Sequence, residues 1–421
     1  MTLKANHVST VLLCFAYFSF GLLDNFNGPC VMDIIELIHS SLTTVGIAIS
    51  LNTLFYCLSS LLCGSLNERI DRRDVIAYCL TFAAATVGVT PFLTSGWQFI
   101  MFNAINGMFL GGIDVACNSW MLKTWGSEST PALHAMHFSF AAGNVIAPLV
   151  TAPFLSSHKT FLSSHSTASN TTVVGGTPSD SRIVIPFTIV TVISLVSALL
   201  IVIVRITESR SSSDVTHQPL TNQPDLIEGT EQPRRSSNHR VTILVIGCIL
   251  MCSYDAMDFN MFAYSPDLFV LAGIHTTRPT AAYMLTLLSI CYAVSRALSI
   301  MAARKVTVRT LLLINVLIAG TGLAMLFWFV NTSQIMTWIS CGILGSGMGS
   351  TLPSIIALVN QKMGEGDHNI NGFLMFAGRA AVVPSSLVMG HMMQQHPLYF
   401  VYFGLSCYTI TCLSFSLLLL I

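Results

Sequence analysis

Six ionisable side chains stand inside long apolar runs of this chain: Asp24, Asp114, Asp255, Asp258, Arg296 and Arg379. At the centre of a bilayer each costs about 2.5–3.5 kcal/mol on an insertion scale, so all six are expected to face a protein interior or a wet cavity. Four carboxylates against two guanidiniums leave two negative charges unmatched if every group ionises. A bound Na+ or H+ would offset that deficit, which makes the four aspartates candidates for cation coupling. Asp255 and Asp258 are three residues apart and share one helix face; carboxylates that close tend to share a proton or hold a cation. Arg296 and Arg379 are suited to clamping an anionic group or closing a gate. The competing reading for each acid is a buried polar residue bonded to a neighbouring helix. For each arginine it is a side chain that snorkels to the interface.

The elements that must position these groups are transmembrane helices. Hydrophobic residues make up 53% of the 421 and charged residues only 9%, where a soluble domain carries about a quarter charged. Mean hydropathy is +0.69. Windows of about 20 apolar residues can span a bilayer as a helix. Twelve recur here, at roughly 8–32, 42–66, 75–95, 97–121, 132–155, 183–205, 241–268, 281–303, 309–330, 335–360, 372–393 and 398–421. The first reads as a signal anchor. The fold class is therefore an all-α membrane protein. Residues 156–182 and 206–240 are polar and read as linkers. The second divides the chain into a bundle of residues 1–205 and a bundle of residues 241–421.

Orientation follows from Lys and Arg. With the N terminus in the cytoplasm, fourteen of the 19 fall on the cytoplasmic side, while Lys159, Arg182 and Arg278 fall outside. Both termini are then cytoplasmic. The sequons at Asn170 and Asn331 land outside and are candidate glycosylation sites, with plain turn asparagines as the competing reading. All five tryptophans lie near span ends, as an aromatic belt would. Twelve scattered cysteines read as packing residues. A formal net charge of zero offers no basic surface to nucleic acid. No nucleotide-binding domain is present, which excludes ATP-driven transport. "GSGMGST" (Gly345–Thr351) looks like a phosphate loop but lacks lysine, so it reads as a small-residue helix contact. His134, His137 and His391 lack metal spacing.

The two halves echo each other. At an offset of 234, Asp24 matches Asp258, Asp33 matches Asp267 and Cys14 matches Cys248. Separately, Gly107-x-x-x-Gly111 in span four resembles Gly345-x-x-x-Gly349 in span ten. Weak symmetry between six-span halves marks secondary transporters. "GSLNERIDRR" (Gly64–Arg73) between the second and third spans then resembles the major facilitator superfamily motif G-x-L-x-D-R-x-G-R-R. Gly64, Leu66, Arg69, Arg72 and Arg73 match, with Glu68 in place of the aspartate and Asp71 in place of the second glycine. "GGIDVACN" (Gly111–Asn118) and "MHFSFAAGNVIAPLVTAPFL" (Met136–Leu155) resemble the sodium-dependent glucose transporter 1 and major facilitator superfamily domain-containing protein 4 group.

That resemblance implies two pseudo-symmetric six-helix bundles and a functional monomer in the lipid bilayer. It implies a small polar solute, a hexose such as glucose, moved by alternating access. The coupling ion is Na+ ahead of H+, and no other cofactor is implied. The plasma membrane comes ahead of the lysosome. It makes Gly64, Glu68, Arg69, Arg72 and Arg73 a latch, with Glu68 beside Asn371 at the start of span eleven. A purely topological basic cluster is the competing reading. It also makes Asn25, Asn27, Asn52, Asn118, Asn144 and Tyr254 candidate partners for sugar hydroxyls, beside helix-packing hydrogen bonds. Asp24 and Asp114, in spans one and four, resemble the carboxylate pair of the fucose/proton permease branch. Asn103 stands where many proton-driven members carry arginine. A uniporter or proton-coupled carrier of another small polar solute and a non-transporting sensor or scaffold are the alternatives.

Overall fold

The computed structural model describes residues 2–66, 70–126, 129–157, 182–212, 237–302, 305–363 and 368–420. Among them are fourteen α-helices: α1 (Thr2–Asn25), α2 (Asn27–Leu37), α3 (Leu42–Leu66), α4 (Arg72–Val89), α5 (Gly96–Trp125), α6 (Ser129–Thr151), α7 (Val184–Ser212), α8 (Ser237–Leu271), α9 (Arg278–Ala302), α10 (Val308–Phe329), α11 (Gln334–Met348), α12 (Thr351–Met363), α13 (His368–Gln395) and α14 (Tyr399–Leu420). They form twelve segments long and apolar enough to cross a membrane. α7 and α8 run into the expected linker from both sides. Residues 213–236, Asn170, Glu68 and Arg69 lie outside the described residues.

Two spans expected to be single helices are each made of two. α1 ends at Asn25 and α2 restarts at Asn27; α11 ends at Met348 and α12 restarts at Thr351. The cause is visible in the sequence. Pro29 and Pro353 have no N–H to give the carbonyls four residues earlier, Asn25 and Gly349. Arg296 Nε donates to the Gly349 carbonyl at 3.0 Å instead, a cation at a helix C terminus.

Small residues set the helix spacing. A Cβ on Gly107 or Gly111 of α5 would collide with the Asn52 and Tyr56 carbonyls of α3. A Cβ on Gly345 or Gly349 would collide with the Leu288 and Tyr292 carbonyls of α9. "GSGMGST" is therefore a close helix contact repeated in both halves, as small-xxx-small stripes make in membranes.

The two bundles meet mainly through α3 against α13, α6 against α9, and α2 against α8. α3 and α13 touch tightly at the face opposite the N terminus, called the far face below. There Thr43 Oγ1 donates to Gln394 Oε1 at 2.6 Å and Ser50 Oγ to the Val383 carbonyl at 2.7 Å. Between these bonds a Cβ on Gly46 would lie 3.0 Å from the Gly390 Cα. The same helices diverge toward the amino-terminal face, where a Cβ on Gly64 or Gly372 would meet nothing within 4 Å.

Candidate functional site

The charge count puts Arg278 among the outer-side cations, in the turn before the eighth span. Its side chain is 2% exposed at the start of α9 and pairs with Asp33 and Glu36 of α2. Asp33 is fully buried, and its second oxygen accepts the Ser156 main-chain N–H at 3.1 Å. This clasp joins the two bundles at the far face. Beside it lies Asp267, 1% exposed, with no hydrogen-bond partner on Oδ2.

Asp114 sits deeper, on α5. It accepts hydrogen bonds from the hydroxyls of Tyr17 and Tyr56, the latter at 2.5 Å, and from Asn118 Nδ2 at 2.9 Å. Asn118 also donates to the Tyr17 hydroxyl at 2.8 Å. Three donors suit a carboxylate, which is acceptor-only when ionised. Asn118 therefore supports Asp114. His137 packs edge-on against the Tyr17 ring at 5.2 Å.

Arg379, on α13, places its guanidinium over the rings of Tyr56 (5.5 Å) and Phe259 (5.6 Å). Asp24, Asp255 and Asp114 are its electrostatic neighbours. Among the described residues none of them closes to an ion pair within 4.0 Å. Asp255 is 6% exposed and packs against Gly378, where a Cβ would lie 2.5 Å from its Oδ2. One cation thus faces carboxylates from both bundles across the interface. Arg379 is held in the interior by aromatic faces, a contact worth about 0.5–2 kcal/mol. It does not reach for the membrane surface.

Asp258 lies one turn beyond Tyr254. The Tyr254 hydroxyl is 2.6 Å from the Met348 carbonyl and 3.0 Å from Asp258 Oδ1. Arg296 lies over the Tyr292 ring at 5.1 Å and donates to its hydroxyl at 3.1 Å. With its bond to Gly349 this makes Arg296 a support for the end of α11.

A cavity of about 40 Å3 opens between the bundles on the far side of Arg379. Asp24, Asn25, Asn27, Asn52 and Asn103 supply polar lining, and Phe259 and Phe262 supply an apolar wall. At roughly 10–15 Å3 of water-centre volume each, about three waters would fill it. A hexose needs the bundles to separate. Asn144 is one step away, accepting from Asn25 Nδ2 at 2.9 Å.

At the amino-terminal face, Arg72 Nε donates to Ser119 Oγ at 2.6 Å and Arg73 lies 5.1 Å over the Trp120 ring. Both contacts stay within the first bundle. Trp120 is thus 6% exposed beneath Arg73, where a lipid-facing belt residue was expected. Asp71 caps α4, accepting from Arg73 N at 3.0 Å. Gly64 is exposed and Asn371 Oδ1 has no hydrogen-bond partner. Asn331 stands exposed in the turn before α11, and its Oδ1 accepts from Gly273 N at 2.8 Å.

The Major Facilitator Superfamily model matches residues 13–383. The chain belongs to the major facilitator superfamily. It is a multi-pass membrane transporter of a small-molecule solute. Among curated superfamily proteins it is 23% identical to sodium-dependent glucose transporter 1 of Danio rerio, over 97% of this chain and 68% of that one. It is 24% identical to the Xenopus laevis protein of the same name, over 93% and 77%. It is 22% identical to human major facilitator superfamily domain-containing protein 4A, over 86% and 82%. The crystal structure of a D-xylose–proton symporter superimposes with a TM-score of 0.68 at 13% identity, covering 97% of this chain and 95% of that one. At such identity the structural likeness shows the superfamily fold alone.

Sequence reasoning named Asp24, Asp114, Asp255, Asp258 and Arg379, and the fold brings them to one interface. It did not single out Tyr17, Tyr56, Phe259 or the Asp33–Arg278–Glu36 clasp. A tyrosine in mid-span needs a hydroxyl partner, and that signal could have flagged Tyr17 and Tyr56. Nothing local marks Arg278 as different from a loop cation.

Proposed function

We propose that the protein is a cation-coupled sugar symporter working by alternating access, with a hexose such as glucose as solute and Na+ as coupling ion. The observation that carries this reading is Arg379, a cation without a direct ion pair that meets Asp24 and Asp114 across the bundle interface and Asp255 within its own bundle. Such an arrangement can exchange partners as a solute and a cation enter. The names of the relatives in the same superfamily, sodium-dependent glucose transporter 1, support sugar and sodium.

The charge asymmetry along the sequence puts the amino-terminal face in the cytoplasm. The clasp at the far face then closes the outside, and the divergence of α3 from α13 faces inward. The plasma membrane and a functional monomer complete the reading. A uniporter for another polar solute is the second reading, and the three donors that already satisfy Asp114 favour it.

The test is uptake of labelled glucose into proteoliposomes under an inward Na+ gradient, with choline replacing Na+ as control. Accumulation that requires Na+ supports the symporter. Absence of glucose uptake in both conditions removes the sugar.

A further inference from the structure

The oxygens around the break between α1 and α2 do not balance their donors. Asn103 Nδ2 donates to the Phe99 carbonyl at 2.9 Å, and Asn52 Nδ2 donates to the Asn103 carbonyl at 2.9 Å. Carbonyls only accept, so both amides must turn nitrogen toward them. Asn103 Oδ1 is then the end that meets Asn27, and Asn27 must offer its own nitrogen, at 3.0 Å. This chain of constraints fixes the Asn27 amide. Its Oδ1 is left buried with no partner. Asn52, its amide nitrogen engaged in the same way, lines the same cavity with its oxygen as the other end of the amide.

Two further oxygens join them. Asp24 receives only a long contact, 3.5 Å, from Asn25 Nδ2, whose better partner is Asn144. The Asn25 carbonyl loses its helical donor to Pro29. At the other proline break, the freed Gly349 carbonyl is met by the Arg296 cation. No basic side chain lines the cavity at the first break.

We propose that Asp24, the Asn25 carbonyl, Asn27 Oδ1 and Asn52 Oδ1 form a binding site for one Na+. This rests on the cation-coupled reading above and names its site. One carboxylate with neutral oxygens gives a single negative charge, which matches a monovalent ion, and hard cations take oxygen ligands. A cavity that about three waters would fill has room for an ion and excludes a sugar in this conformation. Broken helices whose freed carbonyls hold Na+ are a recurring device in transporters. Asp114, with three donors of its own, is a neighbour and not a ligand, and Arg379 is the cation that Na+ would displace as the partner of Asp24.

The experiment is thermal unfolding of the purified full chain in detergent, without sugar, in NaCl, KCl or choline chloride at equal ionic strength. The wild type is expected to gain stability with Na+ in a saturable way, as a ligand of the folded state does, and to gain none with choline. Asp24→Asn and Asn27→Ala are expected to raise the half-saturating Na+ concentration by at least the roughly 10–100-fold that losing an outer-shell partner of a metal ligand costs. Asn27→Asp guards against simple misfolding. A second carboxylate should lower the half-saturating Na+ concentration and create a response to Ca2+. A wild type that ignores Na+, or an Na+ response unchanged in Asp24→Asn and Asn27→Ala, overturns the site. If the response is unchanged in both while wild-type glucose uptake still needs Na+, the site falls and the symporter stands. If both variants lose the response but no glucose uptake exists, the site stands and the sugar falls.

Discussion

Replacing Arg278 with methionine should open the far face. In the wild type the guanidinium holds Asp33 and Glu36 across the bundles while its side chain is 2% exposed and that of Asp33 fully buried. Methionine keeps much of the volume but takes the guanidinium, and with it the positive charge, from Asp33, whose bond from the Ser156 N–H remains. Removing one partner of a buried ion pair costs about 3–5 kcal/mol, because the remaining charge stays uncompensated. With the bundles apart, Asp33 would meet water and the cost would vanish. The substitution therefore acts on the closed state and not on the open one. At 1.4 kcal/mol per tenfold, the population should shift toward the open far face by about a hundredfold or more. Cys30 reports this directly. It is fully buried on α2, an electrostatic neighbour of Asp33 and Asp267. With Cys30 as the sole cysteine, a membrane-impermeant maleimide added to the far side should label Arg278→Met much faster than the parent. Adding Asp33→Asn removes the carboxylate charge that the guanidinium had met and should recover much of the slow labelling. Equal labelling in parent and Arg278→Met would refute the clasp as a gate.

Other perturbations test other parts of the site. Gly390→Leu should wedge the far face, because a Cβ there already falls 2.6 Å from the Leu42 carbonyl and 2.8 Å from the Gly46 Cα; Cys30 labelling should rise as it does without Arg278. Gly107→Leu should lower the unfolding temperature of the whole protein, overpacking costing about 1–3 kcal/mol, since α5 cannot retreat from the Asn52 carbonyl. Tyr56→Phe removes one hydrogen bond to the Asp114 carboxylate, worth about 1.5–3 kcal/mol, and should reduce solute uptake while surface expression holds. Arg379→Lys keeps the charge but loses the flat stacking on Tyr56 and Phe259; uptake should fall sharply, and wild-type uptake would show that charge alone matters.

The sequence by itself determined the class and the outline of this protein. Apolar windows long enough to span a bilayer gave the twelve spans, because burial in lipid demands nearly continuous apolar side chains. The cost of charge in hydrocarbon made Asp24, Asp114, Asp255, Asp258 and Arg379 legible as interior groups, and the glycine stripes of α5 and α11 were legible as contacts. The proline breaks after Asn25 and Gly349 could have been read too, since a missing N–H four residues on is a local property. Which acid meets which cation was decided only by the tertiary structure. Asp33 and Arg278 are 245 residues apart, and neither carries a local mark of its partner. Asp114 and Asp24 looked alike as lone acids in apolar helices. The fold surrounds one with three donors and gives the other a single long contact beside a polar cavity, because hydrogen bonds between helices depend on relative rotation and depth, which no single helix encodes.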